Sequence, residues 1–215
     1  MKLTIVYDND IYKKNIDLKS DWGFSCLIET EGKTILFDTG ANGEILLNNM
    51  RLLGIDPYII DIIVISHEHW DHNGGLKALG LIVDDIELYR LEDKPCGNMN
   101  LKNIGMSQKI TKGVYTTGKL TGTPKDEQSL ILQGKDGWYV LAGCSHSSVE
   151  KILNVARTYG DVVGLIGGLH GFNNFHVLND LKLVCPVHCS KYKKKIHELF
   201  PDASINAGVG KIIEI

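Results

Sequence analysis

The opening MKLTIVYDND alternates like a strand, with Leu3 to Tyr7 read as one, and a second strand is expected at Ser25 to Glu29. Glu31-Gly32 is a turn pair, so Thr34 to Phe37 is read as the returning arm of a hairpin. The period then lengthens. A helix is expected from Gly43 to Leu53, with Asn42 as its N-cap and Gly54 as its stop. Ile62 to Ile65 is an unbroken apolar run, which suits a strand buried on both faces.

The second half repeats the theme. Leu130 to Gln133 and Trp138 to Ala142 read as a strand pair across the turn Lys135-Asp136-Gly137. Ser147-Ser148-Val149-Glu150 has capping-box spacing, and the helix it opens carries Val149, Ile152, Leu153 and Ala156 on one face before Gly160. Val162 to Ile166 is another buried strand, and Val184 belongs to a further short one. Ser190 is a candidate cap for a last helix that Pro201 ends. Residues 92 to 127 show little periodicity and are read as variable, substrate-facing loops. Two strand-rich halves, each passing into helices, predict a layered α/β domain with helices outside two sheets.

Composition narrows the function. A chain of 215 residues fits one domain, 1–215, and no low-complexity tract or linker breaks it. The formal charge of -3 is mild and gives no footprint for nucleic acid or a membrane surface. No apolar run approaches the roughly 20 residues of a bilayer span, and the opening MKLTIVYDND lacks the apolar core of a signal peptide. Five cysteines, an odd number, read as reduced thiols of a cytoplasmic protein.

The chemistry is concentrated in SHEHWDHNGGL, residues 66 to 76, where His67, His69, Asp71 and His72 fall within six positions on the loop leaving a buried strand. Residues two apart on an extended loop point the same way, so His67 and His69 can hold one ion. Asp71 and His72 come as the chain curls into a helix and can face a second position a few ångströms on. Imidazole with carboxylate suits zinc first, with iron or manganese as alternatives. Three more histidines follow strand-like segments: His146 in GCSH, His170 in GGLHG and His188 in CPVHC. Strand ends on one sheet edge converge, so these turns can meet at one site. His176 and His197 are read as ordinary helix residues, Glu68 as a solvated charge and Trp70 as a packing residue. Packing and turn roles are the default for Cys185 and Cys189. The lysine run at 191 and 193 to 195 is read as a solvated face, able to help bind an anionic substrate if it reaches the pocket.

HEHWDH on a strand-exit loop, with LFDTG before it and GCSH and PVH after, resembles the metallo-β-lactamase superfamily over residues 24 to 190. The resemblance implies a four-layer αββα sandwich with metals at one edge between the sheets. It also implies that Asp38, in LFDTG, stands beside the metal site, where it would orient a ligand or bond a metal-held water. DEQSL, GCSHSSVEKIL, GGLHGF and PVHCS are further similar to one branch of metal-dependent hydrolases. That branch includes the dihydropterin-linked ribofuranosylaminobenzene phosphate synthase.

Two positions depart from the family pattern. The turn TPKDEQSL holds no histidine where the family has one, and Cys144 stands where the family has a bridging aspartate. His146 is expected to supply the missing imidazole, and Cys144 a thiolate. The resulting expectation is a hydrolase with one or two divalent ions. His67, His69 and His146 would hold one; Asp71, His72 and His188, with Cys144, the other. A metal-bound hydroxide would attack an ester, lactone or phosphoester of a small molecule. Asp71 would orient it or pass a proton, and His170 would touch substrate or move a proton. The alternatives are a transferase using a pterin diphosphate, an iron-dependent redox enzyme, and a metal-containing binding module without turnover.

Overall fold

The computed structural model describes residues 1–14 and 16–215. The chain forms two compact units, Met1–Gly105 with Gly208–Glu214 and Met106–Ala207 with Ile215.

In the first unit, β1 (Lys2–Tyr7), β2 (Ser25–Glu29) and β3 (Thr34–Phe37) pair antiparallel, the last two across the expected turn at 31 to 32. Then β4 (Ile62–Val64), β5 (Glu87–Arg90) and β6 (Asn100–Asn103) add in parallel, each to the one before. All three residues of β4 are buried, which explains its unbroken apolar run. Helix α1 (Gly43–Leu52) packs on β1, and the Asn42 side chain accepts from Glu44 N and Ile45 N at its start. The motif loop enters two one-turn helices, α2 (Trp70–Asn73) and α3 (Leu76–Leu79), rather than one continuous helix. Val6, Leu27, Leu36, Leu46, Met50, Ile63 and Leu88 are core residues of this unit.

In the second unit, β7 (Met106–Thr111), β8 (Val114–Gly118), β9 (Leu130–Gln133) and β10 (Trp138–Ala142) form an antiparallel run. β11 (Val162–Gly168) and β12 (Leu183–Val187) then continue it in parallel. Helix α4 (Val149–Ala156) buries Val149, Ile152, Leu153 and Ala156, the four residues expected on its inner face. Helix α5 (Lys193–Leu199) packs against β12 through Ile196. Finally β13 (Ile212–Glu214) pairs antiparallel with β1 and closes one edge of the first sheet. Among the described residues no helix is long and apolar enough to cross a membrane.

Three sequence expectations need correction. Residues 92 to 127 are not all loop, for β6, β7 and β8 lie there. β6 and β7 are edge strands with mostly exposed polar side chains, so the buried face that creates periodicity is missing. Ser148, not Ser147, caps α4 by accepting from Lys151 N, while Glu150 is drawn away by Asn174 Nδ2 at 2.8 Å. Ser190 does not cap α5, which starts after Tyr192; its hydroxyl donates to Val187 O instead.

Candidate metal centre

In the first unit the two parallel strands β3 and β4 end side by side, so the residues that follow them share one edge. Asp38 follows β3, and Ser66 and His67 follow β4. The Asp38 carboxylate is fully buried and takes three hydrogen bonds. Ser66 N donates to its Oδ1 at 2.7 Å, while Ser66 Oγ at 2.7 Å and His72 Nδ1 at 2.7 Å reach its Oδ2. Its backbone has φ 57°, a conformation that a short polar side chain tolerates best.

These bonds decide the imidazole tautomers. A carboxylate only accepts, so the proton between it and His72 sits on Nδ1 and leaves Nε2 with its lone pair. The single Ser66 hydroxyl proton goes to Asp38, so Ser66 Oγ accepts from His67 Nδ1 at 2.8 Å. His67 Nε2 is then also a lone-pair nitrogen, and it lies 3.0 Å from His69 Nδ1. Two nitrogens bound to one zinc ion at about 2.0–2.1 Å in a tetrahedron stand about 3.3 Å apart, close to that spacing. His67 and His72 are fully buried, with ring centroids 4.2 Å apart, and Asp71 is 7% exposed with Oδ2 3.8 Å from His72 Nε2.

The loop is fastened from behind. Thr39 N and Thr39 Oγ1 both bond to His72 O, at 2.7 and 3.1 Å, and Phe24 N bonds to Asp71 O at 3.2 Å. The Asp38-Thr39-Gly40 turn is therefore the backing of the histidine loop. Glu68 is not a solvated charge: its side chain is 7% exposed and paired with Arg90. Trp70, read as a packing residue, is 63% exposed instead.

In the second unit β10, β11 and β12 run parallel, so the turns after them open on the same sheet edge. They carry Cys144, His146, His170 and His188. Ligand atoms of Cys144 and His146 lie within 4.8 Å of each other, as do those of Cys144 and His188. His146 and His170 stack obliquely with centroids 4.9 Å apart. Cys144 and His188 are each 3% exposed, whereas His170 is exposed. Ser145, His170 and His188 have φ 62°, 41° and 49°, a concentration of costly backbone in these three turns. The Ser145 hydroxyl donates to Gly168 O at 2.7 Å, tying the first turn to the second. Lys191 N donates to His170 O at 2.9 Å, tying the second to the third.

Two groups escaped the sequence reading. Cys189, assigned to packing, has its sulfur 3.3 Å from that of Cys144. That hydrogen bond holds the Cys189 thiol below its usual range against the effect of burial, with the His188 and His170 imidazoles assisting. Glu127 is fully buried and accepts from Ser147 N at 2.9 Å and Ser147 Oγ at 2.7 Å, next to His146. The only signal for it was a carboxylate in the turn where the family has histidine. The donors of the first unit are imidazole and carboxylate and those of the second are imidazole and thiol, mostly buried. That chemistry fits a borderline-soft divalent ion such as zinc and not an oxygen-seeking one such as magnesium.

An uncharacterized protein of Methanocaldococcus jannaschii is 28% identical, over 99% of this chain and 100% of that protein. The 7,8-dihydropterin-6-methyl-4-(β-D-ribofuranosyl)-aminobenzene-5'-phosphate synthase of the same organism is 28% identical over 70% of this chain and 71% of its own. Among solved structures, a metal-dependent hydrolase of the β-lactamase superfamily superposes with a TM-score of 0.78 at 23% identity, covering 100% of this chain and 99% of that one. A diphosphatase of the PhnP family does so with a TM-score of 0.67 at 15% identity, covering 100% and 97%. These likenesses show the fold that the sequence led one to expect, with its two sheets and few helices. The family model described as the metallo-beta-lactamase superfamily matches residues 23–154, more than half of the sequence, and the chain belongs to that superfamily.

Proposed function

We propose that this protein is a metal-dependent hydrolase of a small phosphoester. The observation that carries the reading is the Asp38 network, which turns His72 Nδ1 to Asp38 and His67 Nδ1 to Ser66 and so makes Nε2 the ligating nitrogen of each ring. Fixing a tautomer in this way is what metal ligation by Nε2 requires. The ligand set is proposed as read from the sequence: His67, His69 and His146 for one ion, and Asp71, His72 and His188 with Cys144 for the other. The metal, when bound, supplies an activated water and polarises the scissile centre. Asp71 would orient the attacking water through its carboxylate, and His170, exposed on its turn, would meet the substrate or move a proton. The diphosphatase likeness and the phosphate-ester chemistry in the synthase's name favour a phosphoester over a carboxylic ester or lactone.

A second reading is transfer from a pterin diphosphate, favoured by the synthase relative at 28% identity. Elemental analysis of protein purified without added metal tests the first claim, with one or two zinc, iron or manganese ions per chain expected. A phosphomonoester, phosphodiester and diphosphate screen then follows with wild type and His67→Ala. Metal-free wild type under every loading condition, or full activity in His67→Ala, would defeat the proposal. Pyrophosphate release that needs an amine or aryl acceptor would select the transferase.

A further inference from the structure

Glu68 sits between the candidate ligands His67 and His69, and neither the family motif nor the reading above gives it a task. Its carboxylate accepts three hydrogen bonds: from Arg90 Nε at 2.9 Å on Oε1, from Arg90 Nη2 on Oε2, and from Asn73 Nδ2 at 2.8 Å on Oε2. The Arg90 side chain is 6% exposed and the remaining arm of its guanidinium donates from Nη1 to Lys94 O at 2.7 Å. Arg90 is the last residue of β5, beside β4, from which the loop departs. Asn73 is the last residue of α2. The pair therefore grips the histidine loop at both ends, near its start through Glu68 and at its finish through Asn73.

Loop geometry gives the grip a direction. His67 Nε2 and His69 Nδ1 lie 3.0 Å apart, so the two rings meet at one place. Glu68 between them is held at the end of β5 by Arg90, which leaves His67 and His69 to face that place together. Planar fork-to-fork pairing fixes orientation as well as distance, which a lysine point charge cannot do.

We infer that the buried Glu68–Arg90 pair is a latch that presets the facing of His67 and His69, a positioning device for the metal site proposed above, on which the inference rests. Removing one partner leaves a charge in a buried place, so conservative variants are the informative ones. The experiment measures zinc affinity by competition with a chromophoric chelator, and metal-free melting temperature, for wild type, Arg90→Lys, Glu68→Gln and the double variant. His67→Ala runs in parallel as the ligand control. Each single variant is expected to bind zinc about 10- to 100-fold more weakly, the range for supporting groups around ligands. The double variant is expected to be no worse than the worse single, because the two residues act as one unit. A folded Arg90→Lys and Glu68→Gln that bind zinc as wild type does, while His67→Ala does not, would overturn the latch and leave the metal reading standing. A lowered melting temperature with unchanged zinc affinity overturns it too, since the pair would then be structural only. If wild type and His67→Ala bind zinc equally poorly, the metal reading itself has failed and takes the latch with it.

Discussion

Replacing Asp38 by asparagine changes one atom in the buried network and should reverse its whole polarity. The Oδ1 acceptor survives for Ser66 N, now 2.7 Å away. The atom facing Ser66 Oγ and His72 Nδ1, each at 2.7 Å, becomes an amide nitrogen with two protons. His72 Nδ1 must then accept, which moves its proton to Nε2. Ser66 Oγ accepts from the amide and turns its own proton to His67 Nδ1, at 2.8 Å, which moves that proton to Nε2 as well. Both lone pairs offered to a metal are lost. Recovering them breaks one hydrogen bond per ring at about 1–1.5 kcal/mol each, together about 2–3 kcal/mol, or about 30- to 150-fold in affinity. The fold should barely notice. Every buried group keeps a partner, and asparagine suits φ 57° at least as well as aspartate. Asp38→Ala is the contrast, because it orphans buried donors. A loss of about 3 kcal/mol is expected there, or about 6–12 °C in melting temperature for a chain of this size. Chelator competition and thermal melting separate the two effects. An Asp38→Asn protein with wild-type zinc affinity would refute the tautomer argument outright.

Three further outcomes follow from particular contacts. Burial pushes the Asp61 carboxyl up, but the Lys33 ammonium at 2.8 Å and the Thr34 amide outweigh it and hold it low. Its folded pKa lies below the unfolded value of about 3.9, so its stabilisation is present above that value and lost as pH falls through the folded one. With both side chains partly exposed the effect is under about 1 kcal/mol. Asp61→Asn should therefore flatten the urea-stability profile below pH 4 and leave it nearly unchanged in slope above. Gly167 has φ 129°, and a Cβ there would run into Ala142 O on the neighbouring strand. Gly167→Ala should lower the melting temperature and weaken zinc binding together, because it spreads β10 from β11 where Cys144 and His170 are delivered. A melt within about 1 °C of wild type contradicts that. Lastly, the 3.3 Å between the Cys144 and Cys189 sulfurs is longer than a bond but short enough to close. Mild disulfide oxidation of metal-free protein should reduce titratable thiols from five to three, and Cys189→Ser should prevent it.

What the sequence determined by itself was whatever depends on neighbours along the chain. Strands β1 to β4, the hairpin turn, the Asn42 cap of α1 and the inner face of α4 were legible because local periodicity and cap chemistry specify them. The histidine loop was legible because ligands two and five positions apart sit in one segment. The edge strands β6 and β7 were not, since an exposed edge has no apolar face to write a period. Nor were the roles that depend on a partner far away in sequence. Glu68 looks solvated until Arg90, 22 residues on, is brought beside it by parallel pairing of β4 and β5. Ser147 looks like a helix cap until Glu127 takes its hydroxyl. Cys189 looks like packing until the parallel register of β10 to β12 sets its turn against that of Cys144, 45 residues before. A charge or thiol has the same covalent structure in water as in a buried site. Only tertiary structure decides which solvent it loses and which partner replaces it, and that exchange sets its chemistry.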